Sequence, residues 1–272
     1  MNNRSQRARI AEQTVCILNS GVYLSPAGKS VNILQDLKYA VDNTKLYRPE
    51  DFSVESESRQ SYQTLYEVSG ETTFAAVRRL VAEEAENIAC LNFASAKNPG
   101  GGFLGGSQAQ EESLARASGL YPCLAVMDEY YSINRATKSC LYTDHMIYSP
   151  QVPIFRDDHD ELLEEPVKAA IITAPAVNKG ALSKSDQSSC NQVMGERIKK
   201  LLSLCAIEER RTLVLGAWGC GVFRNEPQDI AALFKKQLQS EEFAGVFERV
   251  VFAIYDNSKK QKAKRAFEEN FI

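Results

Sequence analysis

The amino-acid sequence predicts an α/β fold built on a central sheet, with a helical layer before it. From residue 64 onward, short apolar runs typical of strands alternate with amphipathic segments typical of helices, and such alternation favours a layered α/β architecture. Two strand candidates are followed by glycine-rich loops that lead into a helix, which is where open α/β sheets bind ligands. We predict one domain over residues 1–272, with an N-terminal helical layer over residues 1–60 and the core over residues 61–272.

The N-terminal layer begins with a predicted helix over residues 5–19, where apolar side chains recur at helical spacing. These are Ala8, Ala11, Val15 and Leu18. An extended piece with a turn is predicted over residues 21–32, a short helix over 33–41 and a polar loop over 43–62.

The core is predicted to alternate strands with helices that have recognisable first residues. Strands are predicted over residues 64–68, 87–93, 146–149, 154–156, 168–173, 212–217 and 246–255. The first core helix has Thr72 or Thr73 as its N-cap, and Ser107-x-x-Gln110 has the pattern of a capping box. Further helices are predicted over residues 185–205, over 225–238 with Asn225 as its cap, and from the last strand to about residue 270.

Composition and charge exclude several classes of protein. The hydrophobic content of 44% and charged content of 25% are ordinary for a globular chain. A net charge of −3 without a long basic run argues against a sequence-specific nucleic-acid partner held mainly by phosphate neutralisation. No signal peptide and no apolar run of membrane-spanning length is visible, so no membrane partner is expected.

The cysteines and histidines narrow the chemistry further. The seven cysteines are odd in number and include no Cys-x-x-Cys pair, which favours free thiols in a reducing, cytoplasmic setting. The two histidines, His145 and His159, are too few for a His-rich metal site and lie beside no Gly-x-Ser-x-Gly nucleophile motif. We interpret both as surface or loop residues, so acid–base chemistry falls to carboxylates.

The first glycine-rich loop precedes a pair of acids. Asn98-Pro99-Gly100-Gly101-Gly102 is followed, after seven residues, by Gln110-Glu111-Glu112. Glycines leave backbone N–H groups open to a ligand, and a helix N-terminus favours a phosphate. The acids could equally be solvated residues that complement the helix dipole. A catalytic pair would have to be partly buried beside an anionic ligand.

A second glycine-rich loop, residues 216–223, follows the strand at 212–217 and again leads into a helix. Two such loops on neighbouring strands could hold both phosphates of a diphosphate. Phe223 could pack on a sugar or base, or belong to the core, whereas Trp218 is predicted to be core. Gly100-x-Gly102-x-x-Gly105 also fits a dinucleotide fingerprint, but its distance from the helix disfavours that interpretation.

One further motif resembles the end of a P-loop. It is Ser25-Pro26-Ala27-Gly28-Lys29-Ser30. The earlier glycine of a P-loop is replaced by Tyr23, so this segment does not predict nucleotide hydrolysis.

With these motifs the chain resembles the poly(ADP-ribose) glycohydrolases of the compact microbial type, over roughly residues 60–257. The spacing of Gly100-Gly101-Gly102 and Gln110-Glu111-Glu112 resembles the signature of that family. Four other segments are similar too: residues 92–99, the second glycine-rich loop over residues 216–223, Tyr148-Ser149-Pro150-x-Val152-Pro153-x-Phe155-Arg156, and Thr173-x-Pro175-Ala176-Val177-Asn178. The resemblance implies a macrodomain-like three-layer α/β/α sandwich with a mixed central sheet and an N-terminal helical extension.

The resemblance also implies roles for individual residues. Glu112 would be the catalytic acid, and Glu111 would orient the distal ribose. The implied contacts around that ribose are Asn98, Gly100, Gly101, Gly102 and Gln110. Those at the diphosphate are Gly219, Cys220, Gly221 and Val222, with Phe223 against the terminal ribose. Glu71 and Thr72 are weaker candidates on the adenine side.

The implied activity is hydrolysis of the ribose–ribose bond of poly(ADP-ribose), mainly from chain ends, with ADP-ribose as product and without metal or cofactor. ADP-ribosylated proteins would be partners as substrates, and the enzyme would reverse ADP-ribosylation in the DNA damage response. Three alternatives stay open: a non-catalytic ADP-ribose-binding module, a hydrolase of mono-ADP-ribosylated targets, and a dinucleotide-dependent oxidoreductase. Redox sensitivity of Cys220 is a further hypothesis.

Overall fold

The computed structural model describes residues 4–52 and 61–272. The strands are β1 (Val22–Leu24), β2 (Ser30–Asn32), β3 (Lys45–Tyr47), β4 (Leu65–Ser69), β5 (Ile88–Phe93), β6 (Met146–Arg156), β7 (Leu162–Ala174), β8 (Thr212–Leu215) and β9 (Arg249–Ala253). The helices are α1 (Arg4–Ser20), α2 (Leu34–Asp42), α3 (Thr73–Ala82), α4 (Gln110–Ala117), α5 (Leu120–Ala125), α6 (Asp128–Ala136), α7 (Cys190–Ile207), α8 (Pro227–Leu238) and α9 (Lys262–Phe271).

Seven of these strands form the central sheet, in the order β3-β6-β7-β5-β8-β9-β4. The five strands from β7 to β4 run parallel, whereas β6 pairs antiparallel with both β3 and β7. The predicted mixed sheet is therefore confirmed. Because parallel strands end at the same edge, the loops that follow β5, β7 and β8 meet there, and β6 starts there with Ile147 opposite Thr173.

The side chains of β5 show how the sheet divides the core into two layers. Ala89 and Leu91 pack in one cluster with α7, α8 and α9, and Ile88 and Cys90 pack in a second cluster with α2, α3 and α5. Alternate residues of a strand point to opposite faces, so an unbroken apolar run is required where both faces are covered. This arrangement is the predicted three-layer α/β/α sandwich.

Helix α1 lies against the loop between β5 and α4. Arg4 Nε donates to the Gly105 carbonyl oxygen at 2.9 Å and Arg7 Nε to that of Gly106 at 2.8 Å. Further along, the Thr14 hydroxyl donates to the Arg116 carbonyl oxygen at 2.6 Å. Gly106 has φ of +73°, and an added Cβ would overlap the backbone of Arg4. The N-terminal helical extension thus supports the loop that carries the glycine motif.

The prediction of two short strands around the prolines at 150 and 153 is wrong in its boundaries, since β6 runs through both. Its register with β7 shifts between Ser149 and Val152, and Gln151 there has φ of +50°. This is a β-bulge, which places Pro150 where the ladder needs no N–H donor.

Three predicted helix starts are also wrong, and one is confirmed. Helix α7 begins at Cys190 and not at residue 185. Helix α4 begins at Gln110 without a side-chain cap, because the Gln110 amide bonds to β5 instead of forming a capping box with Ser107. The N-cap of α8 is Glu226 and not Asn225. Thr72 caps α3 as predicted, with its hydroxyl oxygen accepting from Ala75 N at 3.2 Å.

Three short elements lie where neither a strand nor a helix was predicted. Strand β3 lies within the predicted loop over residues 43–62, of which residues 53–60 are outside the described residues. Helices α5 and α6 are too short and too irregular in pattern to have been predicted. No helix in the described part of the chain combines the length and apolar character that crossing a membrane requires.

Candidate active site

Gln110 fixes the helix that carries the two acids to strand β5. Its Oε1 accepts from Phe93 N at 2.8 Å, and its Nε2 donates to the Leu91 carbonyl oxygen at 2.7 Å and to Thr73 Oγ1 at 3.0 Å. The amide therefore uses its hydrogen bonds within the protein. Gln110, which the family resemblance groups with substrate contacts, lies beneath the site as a link between α4, β5 and α3.

Glu111 is the buried member of the acid pair, with only 3% of its surface exposed. Its Oε2 accepts from Ser95 N at 2.6 Å and its Oε1 from Asn92 Nδ2 at 3.2 Å. Burial raises the pKa of Glu111 to about 8, the charge of Glu112 raises it too, and the bonds from Ser95 and Asn92 act in the opposite direction. A solvated, dipole-complementing role is thereby excluded for Glu111.

Asn92 was missed by the sequence reasoning. It is fully buried at the carboxyl end of β5, and its Nδ2 also donates to Thr173 Oγ1 at 3.1 Å. A polar side chain inside an apolar strand run is the signal that could have identified it, because such a group must find a buried partner.

Glu112 is the accessible member of the pair. Its Oε1 accepts from Gly102 N at 3.0 Å, and the side chain is only partly buried. A Cβ on Gly101 would lie 2.5 Å from Glu112 Oε1 and 3.2 Å from Glu111 Oε2. Both carboxylates therefore approach the same point on the glycine loop, one held in the core and the other open to a ligand.

The first glycine loop uses its N–H groups differently from the expectation. Gly101 N donates to the Asn98 carbonyl oxygen at 3.0 Å, and Gly102 N donates to Glu112 as described. Gly100 is buried, and an added Cβ would meet Phe103 and Ala115 at 3.0 and 3.2 Å. The loop thus shapes and holds the acid, while the Asn98 side chain is exposed beside it.

The second glycine loop is shaped by a buried asparagine. Asn225 Nδ2 donates to the carbonyl oxygens of Val177 at 2.8 Å and Gly219 at 3.2 Å. Gly219 has φ of +74°, and a Cβ there would lie 2.5 Å from Asn225 Nδ2. Across the described residues the N–H groups of Gly221 and Val222 have no acceptor. Unpaired N–H groups at such a turn are suited to phosphate oxygens.

Phe223 follows this loop and faces a second aromatic ring that sequence reasoning missed. The ring centroids of Phe223 and Tyr142 are 6.2 Å apart. Tyr142 has φ of +56°, and its carbonyl and that of Leu141 accept from the fully buried guanidinium of Arg197. Residues 137–145 show no periodic pattern of apolar residues, so the sequence gives no signal that Tyr142 lies beside Phe223.

Cys220 and Trp218 lie deeper in the same loop. Burial raises the pKa of the Cys220 thiol to about 12, so the thiol stays protonated at neutral pH. Trp218 is fully buried, which confirms its prediction as a core residue.

Glu71 and Thr72 lie away from the acid pair. They follow β4, which is separated from β5 by β8 and β9. The Thr72 hydroxyl donates to Asp158 Oδ1 at 2.6 Å, and Glu71 Oε2 pairs with Arg79 at 2.9 Å. The hydrogen bond from Arg79 is the largest of the effects that lower the pKa of Glu71. The two residues lie at the same edge of the sheet as the acids but do not contact them.

Neither histidine takes part in the acid site. His145 is buried in the loop before β6, with Nδ1 3.0 Å from Thr143 Oγ1, and His159 lies in the turn between β6 and β7. Over residues 4–52 and 61–272 there is no cluster of three or more His, Cys, Asp or Glu side chains able to hold a metal ion.

Comparisons with known proteins agree with this geometry. The family described as microbial-type PARG, catalytic domain, matches residues 11–157. Similar structures include the poly(ADP-ribose) glycohydrolase of Thermomonospora curvata bound to the inhibitor ADP-HPD, at 45% identity and a TM-score of 0.93, covering 98% of this chain and 100% of that one. The Deinococcus radiodurans enzyme in complex with ADP-ribose is 49% identical with a TM-score of 0.82, covering 86% and 96%. A search of curated proteins found no match.

Proposed function

Because the chain belongs to the microbial-type poly(ADP-ribose) glycohydrolase family, we propose that it hydrolyses the ribose–ribose O-glycosidic bond of poly(ADP-ribose) and releases ADP-ribose. The observation that carries the proposal is the division of the acid pair, in which Glu111 is held in the core and Glu112 is open to a ligand. A protein that only binds ADP-ribose needs neither a buried carboxylate such as Glu111 nor an acid held in one position such as Glu112. A glycosidase needs an acid in a fixed position.

Glu112 is the proposed general acid and base. Protonated, it donates to the departing 2′-oxygen while the C1–O bond breaks and the ribose develops oxocarbenium character. The resulting carboxylate then takes a proton from the water that attacks C1, which restores the acid. The hydrogen bond from Gly102 N holds the carboxyl group at one position along the loop, as general acid catalysis requires.

Glu111 is the proposed orienting residue. Its two oxygens are fixed by Ser95 and Asn92, so it can present a hydrogen-bonding edge to the distal ribose without moving. Its raised pKa leaves a proton on it near neutral pH, which limits negative charge beside Glu112.

The second glycine loop is the proposed diphosphate site. The open N–H groups of Gly221 and Val222 support this assignment, together with the tight turn at Gly219. Cys220 lies in the same turn, and Phe223 bounds the cleft beside the terminal ribose. Asn98 and the glycines at 100–102 border that ribose from the other loop.

Glu71 and Thr72 belong to the proposal only as the distant, adenine end of an elongated ligand. Their position on the same edge of the sheet supports this. We further propose that cleavage proceeds mainly from chain ends, and that the enzyme acts in the cytoplasm, reversing ADP-ribosylation after DNA damage. The reduced state of the cysteines in the described residues is compatible with that location.

The test compares the wild type with Glu112→Gln on purified poly(ADP-ribose), followed by release of ADP-ribose. The glutamine oxygen can still accept from Gly102 N, so the fold and ADP-ribose affinity should be kept while turnover falls by roughly 10³-fold or more. Glu268→Gln, at a partly exposed position on α9, is the matched control and should keep full activity. Retained turnover by Glu112→Gln would overturn the assignment.

The same preparation separates the alternatives. Tight ADP-ribose binding without release would indicate a binding module, and release only from mono-ADP-ribosylated protein would indicate the related hydrolase. Products longer than one ADP-ribose unit at early times would contradict cleavage from chain ends. A bound nicotinamide cofactor would indicate the oxidoreductase.

A further inference from the structure

Two cations lie beside the loop that holds the acid. Lys97 is exposed and immediately precedes Asn98. Arg135, exposed in the last turn of α6, donates from Nε to the Lys97 carbonyl oxygen at 2.8 Å, and its guanidinium lies 5.8 Å from the ring centroid of Tyr131. Within the described parts of the chain neither cation has an ion-pair partner, whereas Glu129 of the same helix pairs with Arg48.

The topology places these cations on the opposite side of the acid from the second glycine loop. Helix α6 leads into β6, which is separated from β5 by β7, and residues 216–223 follow β8 on the other side of β5. Tyr131, which contacts Arg135, interacts electrostatically with Glu111 as well. A ligand whose diphosphate lies at the second loop and whose reacting bond lies at Glu112 therefore has Lys97 and Arg135 beyond that bond.

The substrate proposed above carries negative charge at this position. The oxygen that Glu112 protonates belongs to the ribose of the departing unit, and the 5′-phosphate of that unit is attached to the same ribose. We propose that Lys97 and Arg135 form a subsite for this phosphate, on the leaving side of the bond; this rests on the proposed hydrolysis of poly(ADP-ribose).

The geometry of Arg135 suits this role. Nε is held by the Lys97 carbonyl oxygen and the guanidinium carbon lies over the Tyr131 ring. The two terminal nitrogens can therefore bond a phosphate with part of the side-chain entropy already lost. Lys97 adds a second charge from the loop itself. Because ADP-ribose alone does not reach this position, the subsite discriminates polymer from free product.

The test measures binding in the Glu112→Gln background, where polymer is not consumed. Fluorescence anisotropy gives the Kd of labelled poly(ADP-ribose), and calorimetry gives the Kd of ADP-ribose. At low ionic strength Lys97→Gln and Arg135→Gln should each raise the polymer Kd by about threefold, and the double variant by about tenfold. The ADP-ribose Kd should not change, and the salt dependence of polymer binding should become shallower.

Lys236→Gln is the matched control. Lys236 is exposed in the last turn of α8. This helix starts at the edge of the sheet where the candidate site lies and runs back to the opposite edge, so Lys236 is far from the proposed subsite. The polymer Kd should therefore be unaltered. An unchanged polymer Kd in the double variant would overturn the subsite. An equal rise in the ADP-ribose Kd would overturn it too, because the cations would then serve the bound product.

Failure of the proposed function is a separate result. If the proposed hydrolysis is wrong, the wild type will release no ADP-ribose from the polymer. The Kd of poly(ADP-ribose) and the Kd of ADP-ribose, both measured in the Glu112→Gln background, do not depend on that result. The comparison of polymer with ADP-ribose would still decide the subsite.

Discussion

Replacing Gly101 by alanine tests whether activity depends on the close approach of the Glu112 carboxyl group to the glycine loop. Gly101 has φ of +59°, and the new Cβ would lie 2.5 Å from Glu112 Oε1. Glu111 Oε2, at 3.2 Å from the same point, is fixed by Ser95 and cannot move away. The carboxyl group of Glu112 is at the end of a flexible side chain, so it must be the group that yields.

The size of the effect follows from the contact distance. An ordinary contact to Cβ begins at 3.4 Å, so Glu112 Oε1 must retreat by nearly 1 Å and lose its hydrogen bond from Gly102 N. A misplacement of about 1 Å in a catalytic group costs on the order of 10²-fold in rate. Stability falls only by the cost of a left-handed alanine, about 1–2 kcal/mol, because the displaced carboxyl group moves toward solvent.

Gly28→Ala is the control for the backbone cost. Gly28, in the turn between β1 and β2, has φ of +78° and no atom within 4 Å of an added Cβ. The assay is release of ADP-ribose from poly(ADP-ribose), with the melting temperature measured on the same samples. Both variants should lose a similar few degrees of Tm, roughly 2–4 °C per kcal/mol, and only Gly101→Ala should lose kcat.

Two results would refute this reasoning. Gly101→Ala with turnover near that of the wild type would show that Glu112 does not act from its position on the loop. A loss of kcat in Gly28→Ala as large as in Gly101→Ala would show that backbone strain, and not the position of the carboxyl group, controls activity.

Two further predictions concern groups whose pKa is raised by burial. The pKa of Glu111 is about 8 in the folded protein and about 4.3 in an unfolded chain. Between these two pH values the folded state keeps a proton that the unfolded state has lost. The free energy of unfolding therefore declines as the pH rises, by about 1.4 kcal/mol per pH unit. Denaturant unfolding at pH 5 and pH 8 should show this loss in the wild type and not in Glu111→Gln; an equal pH dependence in both would contradict it. The pKa of Cys220 is about 12, so mild oxidation should leave turnover unchanged in the wild type and in Cys220→Ala, and inactivation of the wild type alone would show a reactive thiol.

The sequence predicts the parts of the fold that repeat a local pattern. Apolar runs that alternate with amphipathic segments predicted the strands and helices of the layered fold, and the two glycine-rich loops predicted the edge of the sheet where the candidate site lies. Each of these signals is contained within a few consecutive residues. The bulge at Gln151 was not predictable, since it depends on the register with β7. The capping box at Ser107 was predicted from a local rule that a tertiary contact overrides: the Gln110 amide is used by Phe93 and Leu91.

The acid pair shows a similar limit. The spacing of Glu111 and Glu112 marks both as candidates, but only the three-dimensional structure shows which carboxyl group is buried and which is open. Asn92, Tyr142 and Arg135 reach the site from β5, from an irregular loop and from a helix that sequence patterns did not predict. Their roles depend on contacts between distant segments, which local periodicity does not contain.

The contacts of α1 with the glycine loop have a consequence for how the protein is made. The bonds from Arg4, Arg7 and Thr14 join residues 101, 99 and 102 positions apart in the chain. At a synthesis rate of about 5–20 residues per second, α1 leaves the ribosome on the order of 5–20 s before the segment it must grip. Most of the stability of a helix in a protein comes from packing of its apolar face, so α1 stays largely unformed until its partners are present. The glycine loop is then held by a segment that is synthesised well before it, and activity should appear only after both have emerged.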